Sequence, residues 1–150
     1  MNKYLYILIL VLISIPLVCQ TKGRVSSTSQ ETFEKKALER QISYAQASEK
    51  RGDIASAYNN YAQLIKKYDS EVRVIAGFID MSVKTGRIKD CEIKLKDIAN
   101  KYPIKNAVQN KAKSDDIFPL KIRGFLAEFF FRTSREENAY QILTEIDKAG

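Results

Sequence analysis

Lys50-Arg51-Gly52-Asp53-Ile54 and Lys84-Thr85-Gly86-Arg87-Ile88 are one pentapeptide frame written twice, and their spacing decides the fold. Lys50, Gly52 and Ile54 recur unchanged at an offset of 34 residues, and Lys67-Tyr68 recurs as Lys101-Tyr102. Ala57, Leu64 and Asp69 recur as Cys91, Ile98 and Pro103. A fixed period in this range marks units of two helices, each burying its apolar side only against its neighbours. The glycine of each frame suits the left-handed backbone that ends a helix, and Asp53 can cap the helix that follows.

On both sides of these turns the apolar residues fall three and four apart, the period of a one-sided helix. A helix is expected from Thr32 to about Arg51, burying Phe33, Ala37, Leu38, Ile42, Tyr44 and Ala45. The second buries Ile54, Ala57, Tyr58, Tyr61, Leu64, Ile65 and Tyr68, and the third, over 71–84, buries Val72, Ile75, Phe78, Ile79 and Ser82. The fourth buries Ile88, Cys91, Leu95, Ile98, Ala99 and Tyr102, and Pro103 ends it because proline cannot continue the ladder. Residues 104–118 interrupt the period and read as an inserted loop. Pro119 suits the first turn of a fifth helix, 119–132, with Leu120, Ile122, Phe125, Leu126, Phe129 and Phe130 inward. A sixth, 135–148, offers Ala139, Tyr140, Ile142, Leu143 and Ile146. This last pair is a third unit shifted 14 residues out of phase, with Ala139 matched to Ala57 and Cys91.

The N-terminus differs in kind. After Asn2-Lys3, residues 4–18 are apolar apart from Ser14, with Pro16 near the end, which is the layout of an export signal. Those 15 residues fall short of the roughly 20 a spanning helix needs. Residues 1–19 therefore read as a signal peptide or membrane anchor, 20–32 as a flexible Ser/Thr-rich linker and 33–150 as the helical domain. Cys19 stands where a lipidated cysteine would stand, but Val18 precedes it where a small residue is usual. Lipidation at Cys19 and plain secretion with cleavage before Gln20 both remain open. The protein is expected to be exported, periplasmic or membrane-anchored, and otherwise secreted.

Catalytic chemistry has little to work with. The chain has no histidine, the commonest general base and metal ligand. It lacks nucleophile-elbow, Ser-x-x-Lys and phosphate-loop motifs and any Cys/His cluster. A net charge of +7 favours acidic or anionic surfaces without naming one. No enzyme activity, cofactor, metal, small-molecule substrate or nucleic acid is expected. Cys91, in place of alanine in a packed face, reads as a buried inert thiol.

The repeated residues resemble those of tetratricopeptide repeat proteins, in divergent forms found in the bacterial envelope. Ala57 with Tyr61, and Cys91 with Leu95, match the family's small and large residues of the second helix, and Pro103 matches its closing proline. Asp69 replaces that proline in the first unit, and Gln41 and Ile75 stand where the family carries an aromatic. The match is good over 38–103 and loose over 120–150, with units at about 38–71, 72–105 and 120–150. The resemblance implies an all-α fold: antiparallel helix-turn-helix repeats stacked as a short right-handed solenoid of about three pairs. It implies a protein-binding scaffold whose concave face is lined by the first helix of each pair. Arg73, Lys84, Glu128, Phe131 and Arg132 occupy inner positions by that alignment and are the expected partner contacts. Three consecutive phenylalanines, Phe129 to Phe131, span about 200° of a helix, so they cannot all face one core. The expected partners are other envelope proteins. The alternative is a structural, membrane-anchored subunit of a larger envelope assembly.

Overall fold

The computed structural model describes residues 27–104 and 117–148. Among them the secondary structure is six helices and no strand: α1 (Ser27–Lys50), α2 (Ile54–Lys67), α3 (Val72–Lys84), α4 (Ile88–Lys101), α5 (Phe118–Arg132) and α6 (Glu136–Asp147). None of these helices is long and apolar enough to cross a membrane. The chain divides into two compact units, residues 1–33 and 34–150. Of the first, only the opening of α1 is described, and Phe33 there is exposed. The signal segment, Cys19, most of the linker and most of the inserted loop lie outside the described residues.

Within the second unit, three turns share one hydrogen-bond pattern. Asp53 N donates to Ser48 O at 3.0 Å, Arg87 N to Ser82 O at 2.8 Å, and Arg135 N to Phe130 O at 2.9 Å. One residue earlier, Gly52 N, Gly86 N and Ser134 N donate to Glu49 O, Val83 O and Phe131 O. These bonds satisfy carbonyls left over at a helix end, and they require left-handed backbone at the middle residue. Gly52 has φ +78°, Gly86 +70° and Ser134 +57°. Each turn then opens the next helix in the same way, with Ala57, Cys91 and Ala139 N–H donating to Asp53, Arg87 and Arg135 carbonyls. Ala57, Cys91 and Ala139 are fully buried. The third pair thus has the turn of the other two, with serine where they have glycine.

Side chains explain the remaining ends. Asp53 accepts from Ser56 N at 3.1 Å, and that hydroxyl residue's hydrogen bond holds the carboxyl below its ordinary range. Pro119 lies in the first turn of α5. Glu136 and Glu137 sit in the first turn of α6, where the helix dipole favours them.

The core runs through all six helices, from Ile42 and Ala45 through Ile65, Ile75, Ile79, Leu95 and Ile98 to Ile122, Phe129 and Ala139. α2 packs on α3, α3 on α4, α4 on α5 and α5 on α6, and α3 also meets α5 directly. The Tyr61 ring of α2 fills the space a side chain on Gly77 of α3 would need. Ser48 and Ser82 are buried at equivalent positions and donate to the Tyr44 and Phe78 carbonyls, so neither hydroxyl is left without a partner.

Several expectations require correction. α1 begins at Ser27, inside the segment read as linker, and its Phe33 and Tyr44 are 73% and 62% exposed instead of buried. Val72, expected in the core, is 38% exposed, while Val74 and Met81 on the same helix are fully buried. On α6 Tyr140 and Leu143 are exposed, leaving Ala139 as that helix's one buried residue. The physical reason is incomplete cover by neighbouring helices: Tyr44 borders an open cleft between α1 and α2, and Val72 an open groove against α5.

Candidate partner-binding face

The odd-numbered helices are tied together by a run of ion pairs. Arg73 of α3 reaches Glu39 of α1 with two parallel bonds, Nη1 to Oε2 at 2.9 Å and Nη2 to Oε1 at 2.6 Å, and its Nε meets Glu71 at 2.9 Å. Lys84 of α3 pairs with Glu49 of α1 at 2.8 Å and with Asp80 at 2.7 Å. Asp80 in turn takes Arg132 of α5 at 2.7 Å, and Arg132 lies 3.9 Å from Glu128. The run therefore passes from α1 through α3 to α5.

Protonation follows this geometry. Glu39 is held below the ordinary carboxylate range, chiefly by the hydrogen bond from Arg73. Burial pushes Asp80 upward, but bonds from Lys84 and Arg132 outweigh it and leave the carboxyl low. Lys84 is raised by its bonds to Asp80 and Glu49. All these groups keep their charges at neutral pH. Solvent-exposed pairs of this kind are individually weak, so a ligand can displace them.

Four of the five expected contact residues, Arg73, Lys84, Glu128 and Arg132, take part in these pairs on α3 and α5; Lys84 and Arg132 share Asp80, with Glu128 beside Arg132, while Arg73 pairs with Glu39 and Glu71. Phe131 lies next to Arg132, 41% exposed, its ring edge-on to Tyr140 at 5.5 Å. Its neighbours Phe129 and Phe130 are buried. Their acidic counterparts Glu39, Glu49 and Asp80 were not among the expected contacts.

Between α3 and α5, Val72, Lys121, Gly124, Phe125 and Glu128 enclose a groove of about 230 Å³. Its lining is mostly apolar, with Lys121 and Glu128 contributing one cation and one carboxylate. A Cβ added at Gly124 would meet nothing within 4 Å, so the groove is open above that residue. This site was missed because Val72 and Phe125 fit the core pattern; the glycine in the middle of an apolar helix was the available signal. A second cleft, of about 410 Å³, lies between α1 and α2, lined by residues including Arg40, Tyr44, Asn60, Lys67 and Tyr68. The buried Asn60 Nδ2 there has no hydrogen-bond partner among the described residues.

The other expected residues serve packing. Gly52 and Gly86 form the turns, Ala57, Tyr61, Cys91 and Leu95 are in the core, and Pro103 follows the Tyr102 cap of α4. Burial pushes the Cys91 thiol up to about 11, so it stays protonated and unreactive at neutral pH. Away from the α1–α3–α5 run, Glu92 of α4 pairs with Lys96 at 2.7 Å and with Arg135 at 2.6 Å, and the Arg135 guanidinium lies over the Phe130 ring. Arg123 of α5 donates to the Tyr102 carbonyl at 3.0 Å, joining α5 to the end of α4. Comparison with protein-family models, curated proteins and solved structures returned no match.

Proposed function

We propose that this chain is a non-enzymatic, exported scaffold of tetratricopeptide type, stacked as a short right-handed solenoid, that binds an envelope protein through the α1–α3–α5 face. The observation that carries the reading is the ion-pair run across the odd-numbered helices, Glu39–Arg73 and Glu49–Lys84 between α1 and α3, Asp80–Arg132 between α3 and α5. Such rungs put alternate helices side by side, which supports stacking of helix pairs. The groove at Gly124 gives that face an apolar slot flanked by Lys121 and Glu128. Its chemistry suits an apolar side chain of a peptide segment whose backbone N–H and C=O groups meet the two charges.

The test is retrieval of partners from solubilised envelope fractions by the full chain and by variants. Gly124→Gln, which fills the groove, and Arg132→Glu should remove a specific protein that the wild type retains. Ile93→Ser, at an exposed position on α4, should leave retention unchanged. Equal retention by all four proteins, or no specific protein with any, rejects this function.

A further inference from the structure

The exposed residues of α1 and α6 occupy, by repeat position, the two sides of an interface found between α2 and α3. Within the chain, Tyr58 of α2 stacks on Phe78 of α3, with ring centroids 5.8 Å apart, and Tyr61 covers Gly77. The shared turn pattern places Tyr140 and Leu143 of α6 at the positions of Tyr58 and Tyr61. The 34-residue offset places Tyr44 and Ser43 of α1 at the positions of Phe78 and Gly77. Tyr58, Tyr61 and Phe78 are buried, whereas Tyr140 is 59% exposed, Leu143 40% and Tyr44 62%. The α6 face therefore lacks the aromatic and small-residue pair it is built to cover, and the α1 face offers one.

We propose that the α6 face of one copy docks on the α1–α2 cleft of a second copy, head to tail, continuing the α2–α3 interface between molecules. Size agrees: Ser43 leaves room for Leu143, as Gly77 does for Tyr61. Charge agrees too. Ile65, fully buried in α2, is replaced at the equivalent α6 position by Asp147, and Val74 of α3 is replaced in α1 by Arg40. Docking would bring Asp147 to Arg40, at a cleft that also holds Lys67 and the buried Asn60 Nδ2, which has no hydrogen-bond partner among the described residues. A heterologous contact of this kind leaves one unpaired face on each copy of a dimer, so the product is a chain or ring of copies rather than a symmetric dimer.

This inference rests on the stacked-repeat reading, and the experiment separates the two. Full-length chains in mild detergent, with Cys19→Ser, carry either Tyr44→Cys or Tyr140→Cys and are treated with a short bis-maleimide. A mixture of the two should give a cross-linked dimer, and the double variant a ladder of higher species. Asp147→Arg should lower the yield about tenfold, and Arg40→Asp added to it should restore the yield. Cross-linking of either single variant with itself, or none in the mixture, overturns the proposal. Glu39→Cys with Arg73→Cys in one chain reports on stacking alone: an intramolecular link there, without the intermolecular one, leaves stacking standing and rejects head-to-tail docking.

Discussion

The Tyr61 ring occupies the space that a Cβ on Gly77 would need, so that α2 can approach α3 this closely only because residue 77 has no side chain. Glycine inside a helix costs roughly 0.5–1 kcal/mol against alanine, and here the close approach offsets that cost.

Gly77→Ala should therefore destabilise the fold by about 1–3 kcal/mol through overpacking, in spite of its better helix propensity. Gly124→Ala is the control, because its Cβ meets open space, and it should stabilise by about 0.5–1 kcal/mol. Urea denaturation of the two single variants measures both signs. Adding Tyr61→Leu to Gly77→Ala should recover part of the loss, since leucine occupies the equivalent position of α4 as the buried Leu95. Equal effects at the two glycines would remove Tyr61 from the argument.

Acid should loosen the joints between helix pairs before neutral conditions do. Asp80 and Glu92 both have folded-state values below their ordinary ones, Asp80 through Lys84 and Arg132 against the opposing pull of burial, and Glu92 through Lys96 and Arg135. A depressed carboxylate adds stability in full above its unfolded value and loses it as pH falls through the folded one. The contribution should thus be flat above about pH 5 and decline progressively below about pH 4. A double-mutant cycle with Asp80→Asn and Arg132→Gln should give a coupling of about 0.5–1 kcal/mol at pH 7 that shrinks at pH 3. A coupling unchanged between those pH values would mean that the pair does not bridge α3 and α5 in solution.

How much of this was legible beforehand depended on the range of the interaction. The turns at Gly52 and Gly86 were readable because a left-handed residue between two apolar stripes calls for glycine, a local requirement. Ser134 performs the same turn without that mark, which is why the third pair stood out least in the sequence. The ion-pair run was not readable, because Glu39–Arg73, Glu49–Lys84 and Asp80–Arg132 join residues 34, 35 and 52 apart, and depend on how neighbouring helices are rotated. Apolar periodicity gave the stripes of α2 and α4 almost residue for residue. It misplaced Phe33, Tyr44, Val72, Tyr140 and Leu143, since a hydrophobic pattern reports that a face is apolar without saying whether a neighbour covers it.

Cys91 should behave as a buried packing residue. It is fully buried, and loss of solvation raises its thiol to about 11. In a Cys19→Ser chain, reaction with a disulfide reagent at pH 8 should be slow and should track unfolding, rising sharply in urea. Cys91→Leu should cost about 1–3 kcal/mol by overpacking, and Cys91→Ala should be nearly silent. Fast labelling of the native chain would place the thiol outside the core.

Ser134 should be the easiest single site at which to stabilise the molecule. Its φ of +57° lies in left-handed backbone, which costs a residue with a side chain roughly 1–2 kcal/mol. Glycine removes that strain but adds freedom to the unfolded chain, an opposing effect of about 0.4–1 kcal/mol. The difference predicts a gain of about 0.5–1 kcal/mol for Ser134→Gly, seen as a higher urea midpoint at unchanged slope. The reverse change tests the same physics: Gly52→Ala and Gly86→Ala each have free space at the Cβ and a φ near that of Ser134. Both should lose about 0.5–1 kcal/mol, the backbone strain less the gain from a stiffer unfolded chain. If Ser134→Gly proved neutral while both alanine variants were destabilised, the Ser134 turn would be relaxed in solution, and the likeness of the third helix pair to the first two would fail at its turn.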